Sequence, residues 1–416
     1  DFRTTVSPLF FTFDNKSLYA LSNRGRDKTA LVVLDPVNAS ESQPLFEHPE
    51  VDLDGVSYSH KRKLITQAGF TTWKSQRHFF DAETRAIYTR LQEKLPGYEI
   101  SLQSENRAED TFVVAAYNDR TQGARYVYSL KTDTLTPLGE INPRLNPADM
   151  ASMKPITYRT RDGLTINGYL TVPLNREAKN LPVIVNPHGG PWVRDSWGYN
   201  PEIQFLANRG FAVFQMNYRG STGYGRAFWE KSFKQWGRSM QDDITDGVAW
   251  LIKEGIADPK RVGIYGGSYG GYATLAGVTF TPDLYAAAVD YVGVANLFTF
   301  MQTIPPYWKP YLAMMYEMVG DPEKDKAALT ASSPVFHAAR IRTPLFIAQG
   351  ANDPRVNKDE SDQMVAALKK RGVEVQYLVK DNEGHGFHNE ENQFEFYGAM
   401  EAFFRKHLLK DNSSKK

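Results

Sequence analysis

The sequence predicts an α/β protein, a mostly parallel sheet covered by helices on both faces, preceded by an all-β region. Three observations carry this. Up to about residue 150, short apolar runs alternate with turn residues and show no helical stretch of any length. From Met153 onward, near-continuous apolar runs alternate with amphipathic helical stretches. The change falls in one place, dividing the 416 residues into 1–150 and 151–416.

In the first part, "SLYALSNRGRDKTALVVLDPVNA", "RKLITQAGFTTWKSQRHFFDAET" and "TFVVAAYNDRTQGARYVYSLKTDT" each read strand, polar hairpin, strand, then a turn opening on Asp or Lys. Their spacing, about 40 to 50 residues, is that of one four-stranded propeller blade. The region therefore reads as part of a β-propeller, with an irregular β-sandwich as the alternative. A propeller closes with about 4 to 8 blades, and this stretch supplies only about three.

In the second part, "LPVIVNPHGGPW", "FAVFQMNYRG" and "RVGIYGGSYGG" are buried strands with their exit loops, separated by "PEIQFLANRG" and "MQDDITDGVAWLIKEG" as helices. The helix at 240–254 places Ile244, Val248, Leu251 and Ile252 on one face, with Asp242, Asp243 and Asp246 in its early turns, where the dipole favours acids. Ligands of such sheets bind at the carboxyl ends of the strands, so chemistry is sought in those loops.

Composition narrows the function classes. Hydrophobic residues at 41% and aromatics at 13% describe a folded, soluble chain. A net charge of +1 gives no reason to expect a nucleic-acid partner. No apolar stretch approaches the roughly 18 to 20 residues of a membrane span, so no membrane partner is expected. The absence of cysteine excludes disulfides, thiolate metal sites and a cysteine nucleophile. The chain opens at Asp1 with neither an initiator Met nor a signal-peptide core, which reads as a start inside a longer protein. Cytoplasm and periplasm, and monomer and homo-oligomer, stay open.

Gly266-Gly267-Ser268-Tyr269-Gly270 fits G-x-S-x-G between an apolar strand and a helix, the context of a nucleophile elbow. Glycines suit so sharp a turn because flanking side chains would clash. The competing reading is a glycine-rich turn whose serine only caps the helix. The partners decide between them. After the strand "TPLFIAQG", Asp353 is the only carboxylate of "ANDPRV", and after "EVQYLVKD", His385 stands between two glycines in "NEGHGF". Ser, Asp, His in that order on successive strand ends is the arrangement of α/β-hydrolases. His388 is the rival base, less favoured because it sits beside an acidic helix start, and the alternative for Asp353 is an Asx-turn before proline. A second oxyanion donor belongs after an early strand, where His188-Gly189-Gly190 stands, so the amides of Gly190 and Tyr269 are the candidates. His188 lacks companions at ligand spacing, and neither metal nor cofactor is expected.

Together, "NPHGGPW", "NYRGSTGYGR", "GRSMQDDITDGVAWL", "RVGIYGGSYGGYATL", "LFIAQGANDPRV" and "NEGHGF" resemble the prolyl oligopeptidase family of serine peptidases, most closely its acylaminoacyl-peptidase-like branch. The resemblance implies a β-propeller before an α/β-hydrolase domain, with Ser268, Asp353 and His385 as triad and Gly190 and Tyr269 as oxyanion amides. It also implies that Arg355 contacts a substrate carbonyl, a surface ion pair being the alternative, and that Val294, Phe298, Tyr307 and Trp308 stand near the specificity pocket. The expected substrate is a short or N-acylated peptide, or an ester if the incomplete propeller leaves the site open. The competing class is a catalytically silent interaction protein.

Overall fold

A computed structural model describes residues 1–373 and 375–409. They divide into two compact units, the first made of Asp1–Met153 with Ser196–Gln204 and Gly223–Ala227, the second of the remainder. Two short stretches from beyond residue 150 thus belong with the N-terminal region.

In the first unit the strands form three successive antiparallel meanders. They are β1 (Val6–Phe11), β2 (Leu18–Ser22) and β3 (Ala30–Leu34), then β4 (Leu53–Ser59), β5 (Leu64–Thr71) and β6 (Ser75–Phe79), then β7 (Glu99–Glu105), β8 (Thr111–Asn118), β9 (Thr121–Ser129) and β10 (Thr134–Glu140). The hairpins expected from the sequence are β2–β3, β5–β6 and β8–β9. The expectation of an all-β region needs one correction, because a helix, Ala82–Lys94, follows β6 where a turn was expected. Asp81 caps it, its carboxylate accepting from the Thr84 amide at 2.8 Å and the Thr84 hydroxyl at 2.6 Å. Ile87 and Tyr88, with Leu91 one helical turn on, bury against Ile100, Phe112, Val114 and Tyr128.

The second unit is built on one sheet of β11 (Met153–Arg159), β12 (Thr165–Thr171), β13 (Leu181–Val185), β14 (Ala212–Asn217), β15 (Ala257–Gly267), β16 (Ala287–Tyr291), β17 (Leu345–Gly350) and β18 (Val375–Lys380). Its spatial order is β11-β12-β14-β13-β15-β16-β17-β18. From β14 to β18 every pairing is parallel, and β12 runs antiparallel to β14. Every residue of β13, β14 and β17 is buried, which is why they read as near-continuous apolar runs, with Gln215, Asn217 and Gln349 buried among them. The chain steps from β13 to β14 on one side and then to β15 on the other, so the order reverses at β13. A crevice opens at such a reversal, between the carboxyl ends of β13 and β15.

The helix Ser239–Lys253 buries Ile244, Val248 and Leu251 as its pattern predicts. Its aspartates are occupied by arginines as well as by the helix dipole. Arg219, from the "NYRGS" stretch, forks onto the fully buried Asp243 with bonds of 2.9 and 2.6 Å, and its amide donates to the same carboxylate at 2.8 Å. Arg161 engages Asp246 and Asp242. The early-turn acids therefore lock two loops onto the helix.

Candidate active site

At the end of β15 the chain turns sharply and the helix Tyr269–Phe280 begins. Ser268, at φ 58° and ψ −118°, sits in backbone space that L-residues seldom enter. It occupies the capping position, yet its side chain makes no capping hydrogen bond, so the competing reading from sequence loses its physical basis. The turn is packed backbone against backbone. A Cβ on Gly266 would lie 2.5 Å from the Gly270 carbonyl carbon, one on Gly270 would lie 2.2 Å from Pro187 O, and one on Gly271 would lie 2.4 Å from Asp290 Oδ1. No side chain fits at these positions.

Asp353 stands in the loop after β17, its side chain fully buried. Its two oxygens have separate duties. Oδ1 accepts from the amides of Arg355 at 2.8 Å and Val356 at 2.9 Å, the Asx-turn bonds anticipated as an alternative. Oδ2 lies 2.7 Å from His385 Nδ1. The turn and the histidine contact coexist, and the turn aims the carboxylate. His385, in the loop after β18, keeps 15% of its side chain exposed, whereas His388 is exposed and uses its amide, not its ring, to bond Glu383.

The His188-Gly189-Gly190 loop leaves β13 against the elbow. A Cβ on Gly189 would stand 3.1 Å from Gly267 O and 3.6 Å from Ser268 Cβ. Gly190 has φ +112° and precedes a cis proline, and a Cβ there would meet Trp192 N at 2.9 Å. Across the crevice, Tyr269 opens its helix, so its amide is among the first four N–H groups that have no helical acceptor. Tyr218 and Ser221 hold the loop in place. The Tyr218 hydroxyl donates to His188 O at 2.7 Å, its ring stacks on the imidazole at 4.3 Å, and His188 Nε2 lies 2.9 Å from Ser221 Oγ. Burial drives the His188 pKa down to about 4, so the ring is neutral and serves as a prop. The sequence assigns the "NYRGS" stretch no chemistry; its residues face the His188-Gly189-Gly190 loop and the helix Ser239–Lys253.

Tyr291, the last residue of β16, was also missed. Its carbonyl accepts from the Ser268 amide at 2.9 Å, and its hydroxyl accepts from the Phe387 amide, two residues beyond His385. One residue therefore touches both the serine turn and the histidine loop. Arg355 is exposed, and its guanidinium has no ion pair among the described residues. Of the four pocket candidates, Val294 is buried in the core, Phe298 and Trp308 pack partly against it, and Tyr307 is 54% exposed.

Beneath the elbow lies Asp290, fully buried, with neither carboxyl oxygen hydrogen-bonded among the described residues. Burial pushes its pKa up to about 8, the nearby Gly293 amide opposing only in part. Between about pH 4 and 8 the folded chain therefore holds a proton that the unfolded chain has lost, and stability falls as pH rises through that window. Asp290→Asn is expected to abolish this slope, which is at most about 1.4 kcal/mol per pH unit. Urea midpoints should favour the variant at pH 8 and converge with wild type at pH 4.

Among the described residues no group of three or more His, Asp or Glu side chains could hold a metal ion, and no helix is long and apolar enough to cross a membrane. Residues 197–411 match the model of the prolyl oligopeptidase family. Dipeptidyl aminopeptidase BIII of Pseudoxanthomonas mexicana is 38% identical over 96% of this chain and 59% of its own length. Dipeptidyl peptidase family member 6 of Caenorhabditis elegans is 32% identical over 98% of this chain and 58% of its own. A puromycin-hydrolyzing peptidase of Mycobacterium tuberculosis superposes with a TM-score of 0.83 at 25% identity, covering 98% of this chain and 62% of that one. Acylamino-acid-releasing enzymes match over a shorter stretch, that of Arabidopsis thaliana at 30% identity over 54% of this chain and 30% of its own. The chain thus spans about three-fifths of the length of the relatives that match it throughout. With its sheet, its serine turn and this match over half its residues, the chain belongs to the prolyl oligopeptidase family.

Proposed function

We propose that the protein is a serine peptidase that cleaves short peptides, free or acylated at the amino end, through an acyl-enzyme on Ser268. The observation that carries this reading is the 2.7 Å contact between His385 Nδ1 and the buried Asp353, in loops of the same sheet whose β15 ends in the Ser268 turn. Ser268 Oγ attacks the scissile carbonyl carbon and His385 Nε2 takes the hydroxyl proton, while Asp353 holds Nδ1–H and stabilises the imidazolium. The carbonyl oxygen, now negative, takes hydrogen bonds from the amides of Gly190 and Tyr269. Each such donor is commonly worth about 3 to 4 kcal/mol in the transition state. The C–N bond breaks as His385 returns its proton to the leaving amine, and water then repeats the sequence on the ester. Arg355, exposed and without an ion pair among the described residues, supplies a charge for a backbone carbonyl of the bound peptide. The names of the relatives suggest two amino-terminal chemistries, a free dipeptide and an acylated residue.

Comparing three chromogenic substrates tests the reading: a dipeptidyl anilide with a free amino group, an acyl-aminoacyl anilide and a p-nitrophenyl ester. Turnover of either anilide supports a peptidase, and the better of the two assigns the amino-end preference. Ester turnover with neither anilide cleaved would replace it with a carboxylesterase.

A further inference from the structure

The loop that carries His385 has little regular structure of its own, its one bridge being that between Gly384 and Gly386. An imidazole on such a loop keeps a 2.7 Å bond to Asp353 only if the loop is held from outside. Glu383, two residues earlier, is 2% exposed and has no lysine or arginine partner among the described residues. Its carboxylate reaches across the base of the loop to four donors. Oε2 accepts from the His388 amide at 3.0 Å, and Oε1 accepts from the Asn389 amide at 2.9 Å, Asn389 Nδ2 at 2.9 Å and Asn392 Nδ2 at 2.7 Å. Asn389 stands at the capping position of the helix Glu390–Leu408 without capping it, and its own amide and side-chain NH₂ both turn to Glu383.

The backbone of Glu383 is tied to the other loop. Its carbonyl accepts from the Asn352 amide at 2.9 Å, next to Asp353, and its amide donates to Lys380 O at 3.2 Å. The fit is close, since a Cβ on Gly350 would lie 2.1 Å from Gly384 O and 2.7 Å from Glu383 O. The main chain of Glu383 is thus fastened to the aspartate loop, while its side chain closes residues 383–389 into a ring with His385 inside. Burial works against the charge, but the His388 amide, Asn392 and Asn389 outweigh it and hold the carboxyl down to about 2, so the clasp stays ionised at neutral pH.

We propose that Glu383 is a positioning residue for catalysis, a carboxylate clasp that sets the distance and angle of His385 against Asp353 and Ser268. The inference rests on the serine hydrolase reading above. It predicts a loss in the chemical step with substrate binding left intact, because Glu383 touches the loop and not the substrate.

The test compares wild type, Glu383→Gln and Glu383→Ala by three readouts: labelling rate with a fluorophosphonate, kcat and KM on the best substrate, and the low-field proton resonance of His385 Nδ1–H. Folding is checked by circular dichroism and Tm. The expected result is a fall of about tenfold or more in kcat and labelling rate for Ala, with Gln between Ala and wild type. KM should stay within about twofold, and the low-field resonance should broaden or vanish. Folded variants with kcat and labelling within about twofold of wild type would overturn the proposal, as would a lowered Tm with kcat unchanged. Should both variants fail to fold, Asn392→Asp carries the test, since it sets a second carboxylate against Glu383. A labelling rate reduced at least about fivefold supports the clasp, and an unchanged rate overturns it. A wild-type protein that takes no label sinks the hydrolase reading itself, whereas equal labelling of wild type and variants sinks only this inference.

Discussion

Ser268→Ala is expected to abolish fluorophosphonate labelling and to lower kcat by about 10⁶-fold, the order found when a triad nucleophile is removed. The fold should survive, because the serine hydroxyl makes no capping bond and the main chain holds the turn. Alanine carries the same Cβ into the same left-handed backbone, so Tm should move by no more than about 2 °C. The surviving activity, about 10³-fold or more above water, would come from the oxyanion amides and from substrate binding. Labelling retained in the folded variant would make another residue the nucleophile, whereas a wild type that takes no label and behaves like the variant would revive the catalytically silent reading of the domain.

Asp353→Asn should cost about 10⁴-fold in kcat with KM nearly unchanged. The amide oxygen can still accept from the Arg355 and Val356 amides, so the loop keeps its turn. The NH₂ group then faces His385 Nδ1 where a carboxylate oxygen stood. A donor there obliges Nδ1 to accept, which leaves the ring's proton on Nε2, and an Nε2–H cannot take the proton of Ser268. The loss is therefore one of tautomer and not of geometry. Combining Asp353→Asn with Ser268→Ala should cost little beyond Ser268→Ala alone, since residues that act as one unit do not add. Steady-state rates at pH 7 on the three variants check both points.

The features legible in the sequence were those written locally. Ser268, Asp353 and His385 each follow an apolar strand, and a strand followed by glycine or an Asx-turn is visible within about ten residues. The helix Ala82–Lys94 was hidden because only Ile87, Tyr88 and Leu91 form its apolar stripe among charged residues, although Asp81 and Thr84 did spell a cap. Arg219 and Asp243 are 24 positions apart, and nothing in either stretch announces the other. Glu383 lay inside a quoted motif, yet its role depends on Asn392, nine residues on, and on Asn352, brought alongside by β17 and β18. Tyr291 joins two loops that only the sheet order makes neighbours. Pairings of this kind arise from the fold, so sequence periodicity carries no trace of them.

The main-chain packing under Ser268 also bears on how this chain can change. Where Gly266, Gly270 and Gly271 press against Gly270, Pro187 and Asp290, no substitution is tolerated and none is needed, since the contacts involve atoms common to every residue or a single buried acid. On the function proposed above, selection acting on substrate preference would fall on positions outside this turn. The reacting oxygen and the selectivity would then be inherited as separate modules. A library randomised outside the turn should search widely for new substrates while every member keeps the Ser268 turn.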